Sequence, residues 1–380
     1  MEQSSSTYPL AEGLQAPLAP RKTRAQEFWG MLRSNKLAFA GLLIFLLFFA
    51  VAVAGLFLTS GTHPVFDPSM VRLQEKLRPP LSKPRVEILS PEQIPTLGIY
   101  LFGTDDLGRD VFSRMLQGSW VSLTVGFVAV GISVIIGIIM GGLAGYYGNA
   151  FVRVGHIIFV GLLFLSLGLL FFGSAFTGLL ILCAAIVAGS FSAKKKSWPL
   201  SALVMSIDTL IMRIVDIMLC FPSFFLILTV VALLPASMYN IMIVIGLTSW
   251  MGAARFVRAE FLSLREQDFV MAARALGLSD LRIIFRHMVP NALGPVLVSA
   301  TIGIASAILT EAGLSFLGFG VPPPHATWGN ILSDGKRFIF DAPWLTFIPG
   351  IAILIVVLAF NLFGEGLRDI LNPRLRERSL

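Results

Sequence analysis

Long apolar runs without a single charged residue constrain this sequence more than any other feature. One extends from Leu37 to Leu58, and a longer one extends from Ile217 to Ala254. A helix crosses the hydrocarbon core of a bilayer with about 20 apolar residues, so each run is long enough to span it. The composition agrees, because only 13% of the residues are charged, against about 25% in ordinary soluble domains. The chain is therefore predicted to be an all-α, polytopic membrane protein.

The apolar runs divide into eight predicted spans. Lys194–Lys196 and the arginines between Arg255 and His287 lie between runs. This distribution is expected of cytoplasmic loops, rather than of a face that binds nucleic acid. With both termini in the cytoplasm, the number of crossings is even. The spans are Leu37–Leu58, Val121–Tyr147, a hairpin of two short helices within 155–192, two helices within Ile217–Ala254 with a turn at Pro235–Asn240, Asn291–Thr310 and Ala342–Gly364.

The spans and the polar stretches between them predict the domain organisation. A transmembrane domain at 118–373 contains the inserted hairpin, at 153–197. The other segments are a disordered cytoplasmic tail at 1–25, an interfacial helix with the first span at 26–58, an extracytoplasmic segment at 59–117 and a cytoplasmic tail at 374–380.

Two patterns within the spans predict helix packing and helix shape. Gly137, Gly141 and Gly145 recur every four residues, and such a stripe of small residues lets a second helix approach closely. Pro222 falls within the third core helix, where a proline is expected to kink the helix.

Two further patterns predict local polar contacts. Thr104-Asp105-Asp106 is typical of a helix N-terminus, where the Thr104 hydroxyl would cap free amides and the acidic groups would oppose the helix dipole. Arg213 and Asp216 are three residues apart, so they are predicted to pair on one helix face.

The polar segment Glu266–Gly277 carries the pattern most informative about function. Phe269, Ala272, Ala273 and Leu276 fall at i, i+3, i+4 and i+7, which predicts one face of a short helix. Gly277 is expected to end that helix in a left-handed cap. A second helix capped by Ser279 is expected to end before Pro290. On spacing alone, this segment is either a plug for a groove on a partner protein or an amphipathic connector beneath the bundle.

The same segment resembles a known family. Ala272-Ala273-x-x-x-Gly277, followed by Ile284-x-x-His287-Met288-x-Pro290, is similar to the EAA loop of permease subunits in binding-protein-dependent ABC importers. Other stretches resemble the C-type permease subunit of the dipeptide, oligopeptide and nickel importers: Phe102–Arg114, Glu311–Gly320, Val321–Asn330, Asn361–Asp369 and Asn372–Arg374.

The resemblance implies a type I ABC importer permease in the bacterial inner membrane, with six core spans and the inserted hairpin. It also implies four kinds of partner, which are a second permease, two ATPase subunits, an external solute-binding protein and membrane lipid. The ATPase-coupling residues would be Phe269, Ala272, Ala273, Leu276, Gly277, Ile284 and Pro290.

The sequence departs from the family in two places. Met271 occupies the position where the family's EAA pattern opens with an acidic residue, which puts in doubt the polar contact normally made there. About 50 residues are inserted where the family usually joins its second and third spans by a short cytoplasmic loop. Since the inserted hairpin crosses the membrane an even number of times, it leaves the remaining topology unchanged.

Other chemistry is not supported by the sequence. Asp334-Gly335-Lys336 lacks the remaining glycine and hydroxyl positions of a phosphate-binding loop, so no catalytic residue and no cofactor are predicted. The four histidines show no metal-ligand spacing, and no metal site is predicted. Glu311 ends an apolar span and is expected either to line a pathway or to cap or pair at the outer boundary. A self-powered secondary transporter or channel is the alternative function, although no inverted repeat is found. The sequence leaves the substrate open.

Overall fold

A computed structural model describes residues 23–148, 150–153, the single positions 162, 166 and 181, and 203–371. Within these residues, five helices are long and apolar enough to cross a membrane, and one bent helix pair forms a further candidate span. They match the six core spans expected from the sequence. The predicted hairpin segment, apart from Arg153 and the three isolated positions, lies outside the described residues, and so do both predicted terminal tails, except that Thr23 caps the first helix and 24–25 belong to it.

The helices follow one another in a simple order. We number them α1 (Arg24–Ser34), α2 (Lys36–Thr59), α3 (Val111–Tyr146), α4 (Ile207–Cys220), α5 (Ser223–Leu233), α6 (Met238–Arg265), α7 (Asp268–Ala275), α8 (Asp280–Phe316), α9 (Trp328–Gly335) and α10 (Trp344–Leu371). The central helix is α3, which packs against α2, α6 and α8, while α10 packs against α2 and α8. We call the two ends of the bundle the α7 end and the α9 end.

The glycine stripe of α3 forms a close helix contact, as predicted. A Cβ atom built on Gly137 would lie 2.5 Å from the Ala253 side chain of α6. The same atom on Gly141 would lie 2.3 Å from the Ala254 carbonyl oxygen. The backbones of α3 and α6 therefore approach to a distance that only glycine permits.

The third core span is broken rather than gently kinked. The α4 and α5 helices meet at 84° across Phe221-Pro222, and Pro222 precedes the first residue of α5. Proline removes a backbone donor and clashes with the preceding turn, so the helix stops there and restarts in a new direction. The turn predicted between the fifth and sixth spans is confirmed, because α5 ends at Leu233 and α6 begins at Met238.

The pairing predicted between Arg213 and Asp216 is wrong. Asp216 instead accepts a hydrogen bond from Arg255 of α6 at 2.6 Å. Nearby, Asp208 pairs with both guanidinium nitrogens of Arg258 that face it. Both arginines lie on α6, which packs beside α4. The acidic residues of α4 therefore pair with arginines of the neighbouring helix rather than with Arg213 of their own helix.

The helix that follows Ser279 does not end before Pro290, so that prediction is wrong. It continues as α8 to Phe316. A π-helical turn at Ile284–Met288 precedes the proline, and the Val289 N–H donates to the Ile284 carbonyl five residues back. This wider turn changes the hydrogen-bond register just before Pro290, where a donor is missing, and so lets the helix pass the proline.

The polar segment before α3 is folded, and the helix starts later than predicted. Asp110, not Thr104, caps α3, because its carboxylate accepts from the Phe112 and Ser113 amides at 3.4 and 3.0 Å. The Thr104 hydroxyl instead accepts from the Arg78 amide and donates to the Glu75 carbonyl. Thr104 thus joins two parts of the polar segment.

The loop predicted between the last two spans contains a helix that packs into the bundle. Thr327 and Asn330 form a capping box at the start of α9. Trp328 is 1% exposed, and its indole N–H donates to the Met115 carbonyl of α3 at 3.3 Å. The α9 helix therefore closes the end of the bundle between α3, α8 and α10.

A two-stranded antiparallel ladder closes the point of insertion. Strand β1 (Phe151–Arg153) pairs with β2 (Leu203–Ser206), and Phe151 lies opposite Ser206. The Ile207 amide also donates to the Ala150 carbonyl at 2.9 Å. The chain consequently leaves and rejoins the bundle at adjacent points.

Candidate functional site

The short helix predicted within Glu266–Gly277 exists as α7, and one side of it is firmly seated. Val270 and Ala273 of α7 are 0% and 4% exposed. They pack in an apolar cluster with Phe261 of α6 and with Ile283 and Met288 of α8. This seat fixes α7 against the ends of two long helices, so displacement of α7 acts directly on the bundle.

The residues predicted to share one face of α7 do not all face the same environment. Ala273 belongs to the buried seat, whereas Phe269 is 36% and Leu276 is 81% exposed. Ala272 is also exposed. An eight-residue helix that is anchored through Val270 and Ala273 turns the other three side chains outward.

The glycine stop of α7 has the predicted left-handed conformation. Gly277 has a φ of +74°, and its amide donates to the Arg274 carbonyl at 2.9 Å. The Leu278 amide donates to the Ala273 carbonyl at 3.2 Å. These bonds form a Schellman motif, which reverses the chain sharply into α8. Ser279 lies at the N-cap of α8 as predicted, but its side chain makes no capping hydrogen bond.

Further exposed apolar side chains accompany α7. Met271 is 49%, Leu281 65% and Phe285 61% exposed. Of the remaining predicted coupling residues, Ile284 is 7% exposed within the π turn, and Pro290 is exposed on α8. Large apolar groups collected on a polar segment are typical of a protein interaction site.

Glu311 lies inside the other half of the bundle. Its side chain is 0% exposed. It accepts hydrogen bonds from the Ser315 hydroxyl at 2.7 Å and the Ser122 hydroxyl at 3.4 Å. Ser122 in turn accepts from the Trp328 amide of α9. Glu311 thereby connects α8 to α3, which adds a structural role to the two alternatives left open by the sequence.

A polar cleft of about 620 Å³ opens at the α9 end. Its lining includes Asp106, Arg109, Arg114, His325 and Asp334. Burial is the main cause that raises the pKa of Asp106 above its ordinary value, and the neighbouring carboxylates of Asp105 and Asp334 raise the pKa further. The cleft therefore holds a carboxyl group that is more easily protonated than an exposed aspartate.

A charge network forms one wall of the cleft. Asp105, which is 0% exposed, accepts from the guanidinium groups of Arg109 and Arg114 at 2.6 Å each. Asp334 of α9 lies 3.3 and 3.0 Å from the same two arginines. The network joins the polar segment before α3 to α9. These two elements cover the α9 end of the bundle, and the ion pairs hold them together.

The described residues contain no group of three or more histidine, cysteine, aspartate or glutamate side chains placed to hold a metal ion.

Comparison with known proteins identifies the family. Residues 185–377 match the family model described as a binding-protein-dependent transport system inner membrane component. Residues 23–80 match the N-terminal transmembrane domain of oligopeptide transport permease C. The chain is also 36% identical over 351 residues to the dipeptide transport system permease protein of Alkalihalophilus pseudofirmus, covering 92% of this chain and 90% of the relative.

The chain belongs to the binding-protein-dependent permeases of ABC importers.

Two further relatives extend the comparison over most of this permease. The oligopeptide transport system permease protein of Bacillus subtilis is 32% identical, with 91% of this permease and 88% of the relative covered. The dipeptide transport system permease protein of Haemophilus influenzae is 32% identical, with 94% and 97% covered. An inward-facing methionine ABC transporter structure aligns with 67% of this permease and 95% of its own chain, at a TM-score of 0.42 and 16% identity. The assignment depends on the sequence relatives.

The family assignment confirms the resemblance found in the sequence. The protein is a multi-pass inner-membrane permease of the dipeptide and oligopeptide ABC importer kind, and the family consists of transport proteins rather than enzymes. ABC importers of this family work with ATPase and substrate-binding partners.

The sequence did not reveal several residues that position the two ends of the permease. Gln117 and Ser122 of α3 accept from the Ala326 and Trp328 amides, and so hold the loop before α9. At the α7 end, Tyr146 bonds to Asp280 across more than 130 positions of sequence. The sequence gives no signal for such pairs, because the two partners are far apart in the chain and neither belongs to a recognisable local motif.

Proposed function

We propose that this permease forms half of a peptide translocation pathway with a second permease, and that it receives motion from separate ATPase subunits through α7. The observation that supports the proposal best is the two-sided character of α7. Its buried side, Val270 and Ala273, is fixed to α6 and α8, while Phe269, Ala272 and Leu276 face outward.

The proposed coupling is mechanical. The small Ala272 permits close approach of a partner surface, and Leu276 provides a side chain that can enter an apolar pocket. Closure of the ATPase subunits on ATP would carry residues 267–278 as a rigid lever, and the seat would pass this displacement to α6 and α8. Such a step is a rigid-body transition. ATP drives it only by binding one state of the assembly more tightly than the other.

The proposed orientation places the α7 end in the cytoplasm and the α9 end outside, with both termini cytoplasmic. Arg255, Arg258 and Arg265 lie toward the α7 end of α6, as the positive-inside rule requires. In this orientation, the polar cleft and α9 face the external solute-binding protein. Peptides are the proposed substrate class because the curated relatives are named as peptide permeases.

Leu276→Asp is expected to release the ATPase subunits. Leu276 is 81% exposed, so a charge there leaves folding unchanged but places an unpaired carboxylate in the proposed socket. Truncating a hot-spot residue of an interface costs about 2 kcal/mol or more. We propose Leu276 as such a residue, and we expect at least a tenfold loss of ATPase subunits that co-purify with the permease in detergent.

Leu73→Asp is the matched control, since Leu73 is 59% exposed on a short 3₁₀ helix of the polar segment before α3. This variant is expected to retain the ATPase subunits. The proposal is contradicted if Leu276→Asp retains them as well.

The inserted hairpin is expected to be dispensable for docking of the ATPase subunits. Arg153 lies opposite Leu203 in the β ladder, so an Asn-Gly turn can replace 154–202 and join the strands as a two-residue hairpin. We expect the shortened permease to remain monodisperse in detergent and to co-purify with its ATPase subunits at the level of the full chain. Loss of the ATPase subunits from a folded, shortened protein would show that the hairpin takes part in docking.

A further inference from the structure

A carboxylate bridges two consecutive tyrosines at the α7 end. Tyr146 donates to one oxygen of Asp280 at 2.6 Å, and Tyr147 donates to the other at 3.2 Å. The two rings lie edge to face, with centroids 4.9 Å apart. A hydroxyl that donates to an ionised carboxylate makes a short, charge-assisted bond with defined geometry. Asp280 therefore has both of its oxygens committed to the end of α3.

The α7 helix contacts the same tyrosine. The guanidinium carbon of Arg274 lies 4.9 Å from the centroid of the Tyr146 ring, which is within the range of a cation–π contact. Arg274 is in the last turn of α7, and Asp280 is the first residue of α8. Tyr146 thus holds two points that flank the Gly277 turn.

These contacts add polar links to α3, a helix that the apolar seat of α7 meets through Tyr146 and through the partly buried Val134 and Ile138. The seat consists mainly of side chains from α6, α7 and α8, whereas Tyr146 and Tyr147 end α3. Asp280 and Arg274 are exposed, so their bonds add less to folding than the buried Val270 and Ala273 do. These contacts nevertheless fix the position of α7 relative to α3, because they oppose sliding of α7 along the end of that helix.

We propose that Tyr146, Tyr147, Arg274 and Asp280 form a clamp that makes α3 move with α7 during the ATPase stroke. The inference depends on the proposed function, since it names the helix to which the stroke is delivered. The glycine stripe packs α3 closely on α6, so a displacement that enters at Tyr146 moves both helices together. Without the clamp, α7 would still dock, hydrolysis would continue and the seat would still act on α6 and α8, but α7 would slide along the end of α3 and the coordinated movement of α3 would be lost.

The test uses Tyr146→Phe/Tyr147→Phe, which removes both donated hydrogen bonds and keeps both rings. The permease, its partner permease, ATPase subunits and binding protein are reconstituted in vesicles and supplied with labelled di- and tripeptides. We expect the number of peptides imported per ATP hydrolysed to fall at least tenfold, with unchanged ATPase co-purification. Tyr239→Phe is the control, because Tyr239 is 69% exposed at the far end of α6, and it is expected to keep the original ratio. An unchanged ratio in the double variant overturns the clamp.

A distance measurement tests the same idea without any transported substrate. Spin labels are placed at Leu143 of α3 and Ala275 of α7, both exposed, in a background with Cys183 and Cys220 changed to serine. We expect their separation to stay constant when ATP and vanadate are added to the assembled transporter, and to shift or broaden in the double phenylalanine variant.

The two hypotheses fail in different ways. A separation that changes equally in both proteins overturns the clamp, whereas unaltered ATPase binding by Leu276→Asp overturns the docking proposal. The single variant Tyr147→Phe keeps the Tyr146 hydroxyl and its shorter bond to Asp280. We therefore expect it to import most of the original number of peptides per ATP hydrolysed. A ratio as low as that of the double variant would count against the clamp, because the loss would then not follow the Tyr146–Asp280 bond.

Discussion

Gly141→Leu is expected to prevent the bundle from reaching its native packing. The first side-chain carbon alone would lie 2.3 Å from the Ala254 carbonyl oxygen and 2.9 Å from the Val257 Cβ. The first of these is a backbone atom of α6, so no side-chain rotation can relieve the overlap. Overpacking commonly costs 1–3 kcal/mol, and a clash between two backbones should reach at least about 3 kcal/mol.

Gly131→Leu on the same helix provides the matched control. A Cβ atom at Gly131 would meet nothing within 4 Å, so this variant adds the same apolar volume without a clash. We expect it to elute as one species and to melt within a few degrees of the original protein. Gly141→Leu should aggregate or melt far lower in the same detergent. Equal melting of the two variants would mean that α3 and α6 do not pack closely.

The second large effect is expected from Asp105→Ala at the α9 end. Asp105 is 0% and Arg114 4% exposed, and the two groups are 2.6 Å apart. Removing the carboxylate leaves Arg114 buried with only the partly exposed Asp334, and leaves the Leu107 and Arg109 amides without their acceptor. Breaking a buried ion pair on one side commonly costs about 3–5 kcal/mol.

Two comparison variants make this prediction specific. Asp106→Ala removes the neighbouring carboxyl, which makes no ion pair within the described part of the chain. Because its pKa is raised in the folded state, its charge opposes folding above the ordinary pKa, so this variant should be neutral or slightly stabilising near pH 7. Asp105→Ala/Arg114→Met should lose less than Asp105→Ala alone, since the buried guanidinium that has lost its main partner is then absent. Thermal melting in detergent at pH 7 measures all three, and equal melting of Asp105→Ala and Asp106→Ala would contradict the prediction.

Hydropathy predicted the spans but not their ends. The first predicted span, Leu37–Leu58, differs by one residue at each end from α2, because the charge of Lys36 and the polar Ser60 mark its limits. The predicted span Asn291–Thr310 was too short at both ends, because the helix runs from Asp280 to Phe316. At its start, the π turn before Pro290 lets the helix continue through a proline that would ordinarily end it. The α9 helix is only eight residues long and was predicted as loop, although its buried Trp328 belongs to the core.

The α7 segment could be predicted because its signals are local. A helical period followed by Gly277 requires only neighbouring residues, and the left-handed cap formed as expected. The seat was harder to predict, because Val270 lies outside the predicted face and is buried only through contact with α6 and α8. The clamp and the Asp105 network join residues that are distant in sequence, and their geometry is set by the packed helices rather than by any motif.

The close pairing of α3 with α6 has a consequence for biosynthesis. About 90 residues separate the end of α3 from the start of α6, and at about 5–20 residues per second the ribosome needs roughly 5–20 s to make them. During that interval, the glycine stripe of α3 does not yet have α6 to pack against. The insertion between β1 and β2 accounts for about half of this delay. A permease with a shorter connection would therefore assemble its central helix pair sooner after translation of α3.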